Sequence, residues 1–253
     1  MYLKQITLTN YKNITSKTFD FNPKINCFIG NNGVGKTNIL DAIYHLAFGK
    51  SYFNPISIQN IQFGADFFAL EGRYESNERE EKIICSVKKG QKKTLKRNGK
   101  VYNRIADHIG FIPTVIISPA DRDLISEGSS TRRKFIDAVI GQTDAEFLRN
   151  LIEYNKILSQ RNALLKFFAL NHTFDVDTLE IYNEQLTTRN QPIYEKRKAF
   201  MEQFVPIFKE RYHTISDQQE EVDLSYDSQM HNVSHKILLE ENLAKDRMIQ
   251  HTS

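Results

Sequence analysis

Cysteine is scarce here. The chain has only Cys27 and Cys85, far apart and without Cys-x-x-Cys spacing. This excludes a disulfide-stapled scaffold and points to reduced, packed thiols. Long apolar runs are missing too. The longest mostly apolar stretches, such as Leu164 to Leu170, are short and carry a lysine, Lys166, against the roughly 18 residues that a membrane helix needs. Met1 to Asn10 alternates polar and apolar residues and has no apolar core of a signal peptide. Glycine and proline, at 11 and 6 residues, are too few for a collagen-like or low-complexity chain, and a net charge of +3 is too small to require a nucleic-acid partner. What remains is 253 residues, 40% hydrophobic and 26% charged. That suffices for one large domain or two modest ones around a buried core. A soluble, cytoplasmic protein is expected.

The hydrophobic period divides the chain. Up to about residue 118 it predicts strands and turns around one helix. Ile6 and Leu8 alternate with Thr7 and Thr9, the pattern of a half-buried strand. Ile25, Cys27, Phe28 and Ile29 form an apolar run that stops at Gly30, which predicts a buried strand entering a tight turn. Ile39, Leu40, Ile43, Leu46 and Ala47 make one face of a helix ending at Gly49. Phe68, Leu70, Gly72 and Tyr74, then Ile83, Cys85 and Val87, alternate again, and Asn98-Gly99 between short runs is a hairpin signal. Val115 to Ile117 reads as one more apolar strand.

From about 123 to 213 the spacing turns helical. Leu151, Tyr154, Leu158, Leu165 and Phe168 form one run, and Leu179 to Phe208 a second, with capping residues between Asn171 and Asp177. Val222, Leu224 and Tyr226 return to strand alternation, and Lys236 to Ile249 is helical. The expected division is 1–118 for a head, 119–215 for an inserted helical arm and 216–253 for the start of a return to the head.

One motif dominates. Gly30-Asn31-Asn32-Gly33-Val34-Gly35-Lys36-Thr37 is a complete G-x-x-x-x-G-K-[ST], with an apolar run before it and an amphipathic helix after it. Its glycines let successive backbone N–H groups turn inward on a phosphate, and the following helix adds its N-terminal dipole. Lys36 is expected to bridge β- and γ-phosphate oxygens of ATP and the Thr37 hydroxyl to ligate Mg²⁺. The fold class expected is α/β, a P-loop NTPase with a mixed sheet.

The filling G-N-N-G-V-G-K-T-N, with Tyr11-Lys12-Asn13 before it and Leu40-Asp41-Ala42-Ile43 after it, resembles the head domains of SMC-like ATPases. The segments Pro119 to Asp137 and Tyr154 to Lys166 are more specific, and they resemble the RecF family of bacterial recombination mediators. The likeness is colinear over essentially the whole chain. Ala120, Ser130 and Asn54 depart from the family pattern, where an acid, a proline and an arginine are usual. The resemblance implies an ABC- or SMC-head-like fold with an inserted helical arm. It also implies an ATP-dependent homodimer on double-stranded or gapped DNA, acting with RecO and RecR in replication, repair, recombination and the SOS response, and helping a recombinase to load. By resemblance, Lys12 and Asn13 flank the nucleotide base and Asn38 completes the loop. Two further elements, a signature loop and an acidic Walker B strand, are implied as well. Gly141-Gln142 lacks the flanks of the first and no four-apolar strand ends in paired acids, so the resemblance places both C-terminal to residue 253. Without them, ATP binding with negligible turnover is expected.

Between Lys82 and Arg104 stand nine basic residues and no acid, among them Lys88, Lys89, Lys92, Lys93, Lys96 and Arg97. Clustered on a hairpin, they would create a positive field for DNA phosphates. A solvated edge strand protected by lysines is the alternative. Arg132-Arg133 is read as a solvated helix face. His231 and His235, spaced i, i+4 without an acid between them, are not read as a metal site. A nucleotide-dependent protein-interaction module without DNA binding stays open as a second function.

Overall fold

Ile6 and Leu8 point into a core and are fully buried, while Thr7 and Thr9 face outward, in strand β1 (Tyr2–Tyr11). The computed structural model describes residues 1–76 and 79–253, which form two compact units, 1–123 and 124–253. In the first unit β1 lies between β2 (Ile14–Asp20) and β3 (Phe67–Ser76), followed by β4 (Arg79–Lys88), β5 (Thr94–Arg97) and β6 (Lys100–Val101) in the order β2-β1-β3-β4-β5-β6. All these pairs run antiparallel. The Asn98-Gly99 turn joins β5 to β6 with both φ angles positive, 49° and 82°, as a two-residue hairpin requires.

Helix α1 (Lys36–Phe48) covers one face of this sheet. Ile39, Ala42, Leu46 and Ala47 pack on Ile6, Leu8, Phe68, Leu70, Ile83 and Leu95. Burying that face supplies most of the unit's stability, at about 25 cal/mol per Å² of apolar surface. The opposite face carries Thr7, Glu71, Ile84 and Lys96 across successive strands, the one-sided burial typical of antiparallel sheets.

Three expected strands are not formed, two of them in this unit. Residues 25–30 and 113–118 carry no regular secondary structure and join no ladder among the described residues. Ile25 and Ile29 are 80% and 94% exposed, and Val115 and Ile117 80% and 85%. An apolar run becomes a strand only where a neighbour supplies backbone partners, and here contact with the sheet is by side chain, the Phe28 ring against Phe19 of β2 at 6.0 Å. Cys27 is consequently exposed, whereas Cys85 is packed and burial pushes its thiol up to about 12.

The second unit is helical. It comprises α2 (Asp123–Ser126, at the boundary), α3 (Ser129–Thr143), α4 (Ala145–Asn171), α5 (Val176–Ile215), α6 (His235–Glu241) and α7 (Leu243–Ile249). The break between the long helices falls at residues 172–175. Asp144 caps α4 and Asp175 caps α5, each accepting from backbone N–H groups of the first turn. Three small cores run along α4 and α5, around Phe147 and Ile193, Ile157 and Leu186, and Leu165 and Leu179.

Residues 216–253 belong to this unit, not to the first. Arg161 of α4, fully buried, pairs with Asp246 of α7 at 2.8 Å and also donates to Asn183 and Thr252. The alternating residues Val222, Leu224 and Tyr226 form no strand. Their segment lies beside α5, tied by Lys209 to Asp223 at 2.8 Å and by ring contact of Tyr226 with Tyr194. Their period reflects one side turned to a helix, not a sheet. Among the described residues no helix is long and apolar enough to cross a membrane.

Candidate nucleotide-binding site

Residues 30–35 form a loop that delivers the chain into α1, and Gly35 stands at the helix N-cap with φ 102°. A Cβ on Gly35 would lie 2.9 Å from Asn13 Oδ1, so both the left-handed backbone and the close approach require glycine. The start of α1 has no side-chain cap and no acid in its first turn. Its leading N–H groups therefore face the loop unneutralised, an arrangement suited to an anion. Lys36 extends back across the loop and donates to the carbonyl oxygens of Gly30 and Asn31 at 2.6 and 2.7 Å. The Thr37 side chain is exposed beside it, as are Asn31, Asn32, Gly33 and Val34. Among the described residues no three His, Cys, Asp or Glu could hold a metal ion together.

The turn between β1 and β2 forms one wall. Asn13 Nδ2 donates to Gly33 O at 2.8 Å, and Asn38 Nδ2 donates to Asn13 Oδ1 at 2.8 Å. Asn13 thus clamps the loop to the first turn of α1. Lys12, with φ 52°, turns its ammonium inward onto Asp41 at 2.6 Å.

Asp41, which entered the sequence reading only as part of the Leu40–Ile43 resemblance, is the hub of the buried contacts behind the loop. It is fully buried on α1 and accepts from Tyr11 Oη, Ser51 Oγ and Tyr52 N, each at 2.7 Å, besides Lys12. Burial pushes its carboxyl up, but the hydrogen bonds from Lys12, Ser51 and Tyr11 outweigh that and hold it below the usual carboxylate range. Tyr11 gives its single proton to Asp41, so His45 Nδ1, 3.2 Å away, donates to the Tyr11 oxygen. Burial depresses His45 to about 3, and it stays neutral. Tyr52 carries the chain of contacts on, donating to Asp121 at 2.9 Å, and Asp121 in turn accepts from Ser118 N. The available signal was an acid set among the apolar residues of a helix face.

The predicted DNA lysines separate into kinds. Lys88, Lys89 and Lys92 are exposed together at the β4–β5 turn. Lys96 is half-buried on the open face of the sheet. Lys93 reaches inward to the carbonyl oxygen of Gly49 and, at 3.4 Å, to Ser57. Arg97 pairs with both oxygens of Glu81 at 2.8 and 2.9 Å and lies 3.6 Å above the Phe111 ring.

Residues 1–251 match the AAA ATPase domain family. The chain is 59% identical over 253 residues to the DNA replication and repair protein RecF of Flavobacterium johnsoniae, covering all of this chain and 70% of that protein. It is 46% identical over 250 residues to the RecF of Phocaeicola vulgatus, covering 98% of this chain and 67% of that one. The chain belongs to the RecF family. A solved structure of the recombination mediator RecF with an ATP analogue superposes with a TM-score of 0.92 at 29% identity, over the full chain here and 70% of that one. A second, of RecF with ATP, gives a TM-score of 0.90. The α/β P-loop NTPase head expected from the motif is therefore the fold, and the ATPase family with the ATP-bound RecF structures supports ATP as a ligand.

Proposed function

We propose that this chain is a RecF-like mediator that binds Mg²⁺-ATP at residues 30–38 and DNA through the β4–β5 turn. In this reading ATP drives homodimerisation on double-stranded or gapped DNA, and the dimer works with RecO- and RecR-type proteins to load a recombinase. The observation that carries it is the uncapped start of α1 with Lys36 laid across the loop mouth. When bound, the triphosphate supplies the charge on which a second subunit closes. Backbone N–H groups of the loop hold its phosphates, Lys36 neutralises them and Thr37 orients the cation. Lys12 and Asn13 border the base by resemblance, through the backbone of the β1–β2 turn, since the Lys12 ammonium is held by Asp41. Lys88, Lys89 and Lys92 contact DNA phosphates without sequence preference.

The test is DNA binding with ATP as a function of salt. Each phosphate neutralised adds about 0.9 to the log–log slope, so Lys88→Glu with Lys92→Glu should flatten the slope and abolish binding. Unchanged binding by that variant overturns the DNA assignment. One observation favours the second reading, a nucleotide-dependent protein-interaction module. Arg97, Lys93 and Lys82 are committed to internal partners, the last to Glu71 at 2.7 Å, so the hairpin's field is weaker than its sequence suggests. ATP-dependent oligomers indifferent to DNA would establish that reading.

A further inference from the structure

Phe63 is wholly exposed, the most exposed large apolar side chain described in the molecule. Single exposed hydrophobic residues are ordinary on protein surfaces, but this one sits on a turn held in place from several sides. Tyr11 and Ile61 form a β-bridge, Lys12 N donates to Asn60 O at 2.9 Å and Gln62 N to Asn10 O at 2.8 Å. Ala65 N closes the turn on Gln62 O at 3.0 Å, with Gly64 at φ 83°. The Gln62 side chain adds a bond to Thr15 at 2.8 Å. The ring is thus presented by a fixed backbone.

Its neighbours are the exposed lysines. Lys89 N donates to Asp66 O at 3.0 Å, three residues beyond Phe63, joining this turn to the β4–β5 turn. Phe67, 43% exposed, is the cross-strand partner of Lys88. Asp66 balances Lys89 at 3.4 Å, whereas Lys88 and Lys92 have no acidic partner among the described residues. The end of the β3–β4 pair therefore offers two aromatic rings on the segments that carry the uncompensated charge of Lys88 and Lys92.

We propose that Phe63 stacks on an unpaired or terminal base of DNA whose backbone is held by Lys88, Lys89 and Lys92. The proposal rests on the DNA reading above and deepens it. Lysine contacts recognise phosphate and cannot tell paired from unpaired strands. An aromatic ring needs the face of a base, and within a duplex both faces of every base are covered. Single strands, gap margins and duplex ends alone expose one. Ring and lysines together thus select DNA in which unpaired bases lie next to a charged backbone.

The sequence contains no tryptophan, so Phe63→Trp provides a single fluorescent reporter. Its emission should be quenched by a gapped circular duplex and not by the same circle covalently closed. Phe63→Ala should weaken binding to the gapped circle by roughly 5- to 150-fold, the range for loss of one stacked base, and leave the closed circle within about twofold. Phe63→Tyr, which keeps the ring, should restore the preference and guards against a mere folding defect. Equal loss on both circles, no loss on either, or unquenched emission with bound gapped DNA overturns the proposal. If the unaltered protein binds neither circle at low salt, the DNA reading falls with it. If Lys88→Glu with Lys92→Glu loses both circles while Phe63→Ala changes neither, the stacking role alone falls.

Discussion

Lys36 and Asp41 stand five residues apart on one helix, and their environments assign them opposite tasks. Lys36 faces the loop at the surface, so replacing it with alanine should abolish ATP binding with little loss of stability, as calorimetric titration beside thermal unfolding would show. Asp41 is sealed from water and holds Lys12, Tyr11, Ser51 and Tyr52 together. Asp41→Asn strands the Lys12 ammonium, and breaking such a buried pair costs about 3 kcal/mol. It should lower the denaturation midpoint first and ATP affinity second, through the Asn13 clamp on Gly33. Histidine sets the acid response. His45 and His235 are depressed by burial to about 3 and about 4, so the unfolded chain takes up protons that the native chain refuses. Stability should therefore fall as pH drops from the ordinary histidine value toward these, by up to about 1.4 kcal/mol per pH unit for each histidine. Urea unfolding at pH 7, 6 and 5 would measure it, and His45→Asn should show a shallower slope. The motif made Lys36 and Thr37 legible. The role of Asp41 was not, because a single acid in an apolar helix carries no spacing, and its four partners come from two separate segments, at residues 11–12 and 51–52.

Among the elements, α1, the hairpin strands and the two long helices follow the sequence period closely, because each buries one regular face. The segments around Ile25, Val115 and Val222 do not, although their runs are as apolar or as alternating as those of true strands. Period reports which side chains seek cover, and only a neighbouring backbone turns an extended run into a ladder. The last two helices show another kind of dependence. Arg161 and Asp246 lie 85 residues apart in sequence and meet fully buried. Arg161→Met alone should destabilise the helical unit by roughly 3–5 kcal/mol, since it leaves Asp246 charged and unpaired. Arg161→Met with Asp246→Leu should recover much of that loss, and chemical denaturation of both variants would check it. Similar losses in both would mean that the hydrogen bonds of Arg161 to Asn183 and Thr252, and those that Ser253 N and Oγ donate to Asp246 at 2.8 Å, dominate the ion pair.

At the scale of the whole molecule, charge is distributed less generously than its count suggests. Of the predicted DNA residues, Lys93 and Arg97 serve the fold and Lys89 is balanced by Asp66, so the free charge at the β4–β5 turn is that of Lys88 and Lys92. Charge reversal at Arg97 should thus cost stability through lost Glu81 and Phe111 contacts, whereas reversal at Lys92 should cost DNA affinity alone. Thermal unfolding and salt-dependent binding, measured on the same two variants, separate these outcomes. By itself the sequence determined the phosphate loop, the helix behind it, the strand and helix periods and the family, because each is written in local spacing or a contiguous motif. Tertiary structure alone decided which apolar runs pair as strands, which lysines stay free and where the buried charges meet. Those depend on groups distant in the chain that compete for the same partners, and no local pattern records the winner.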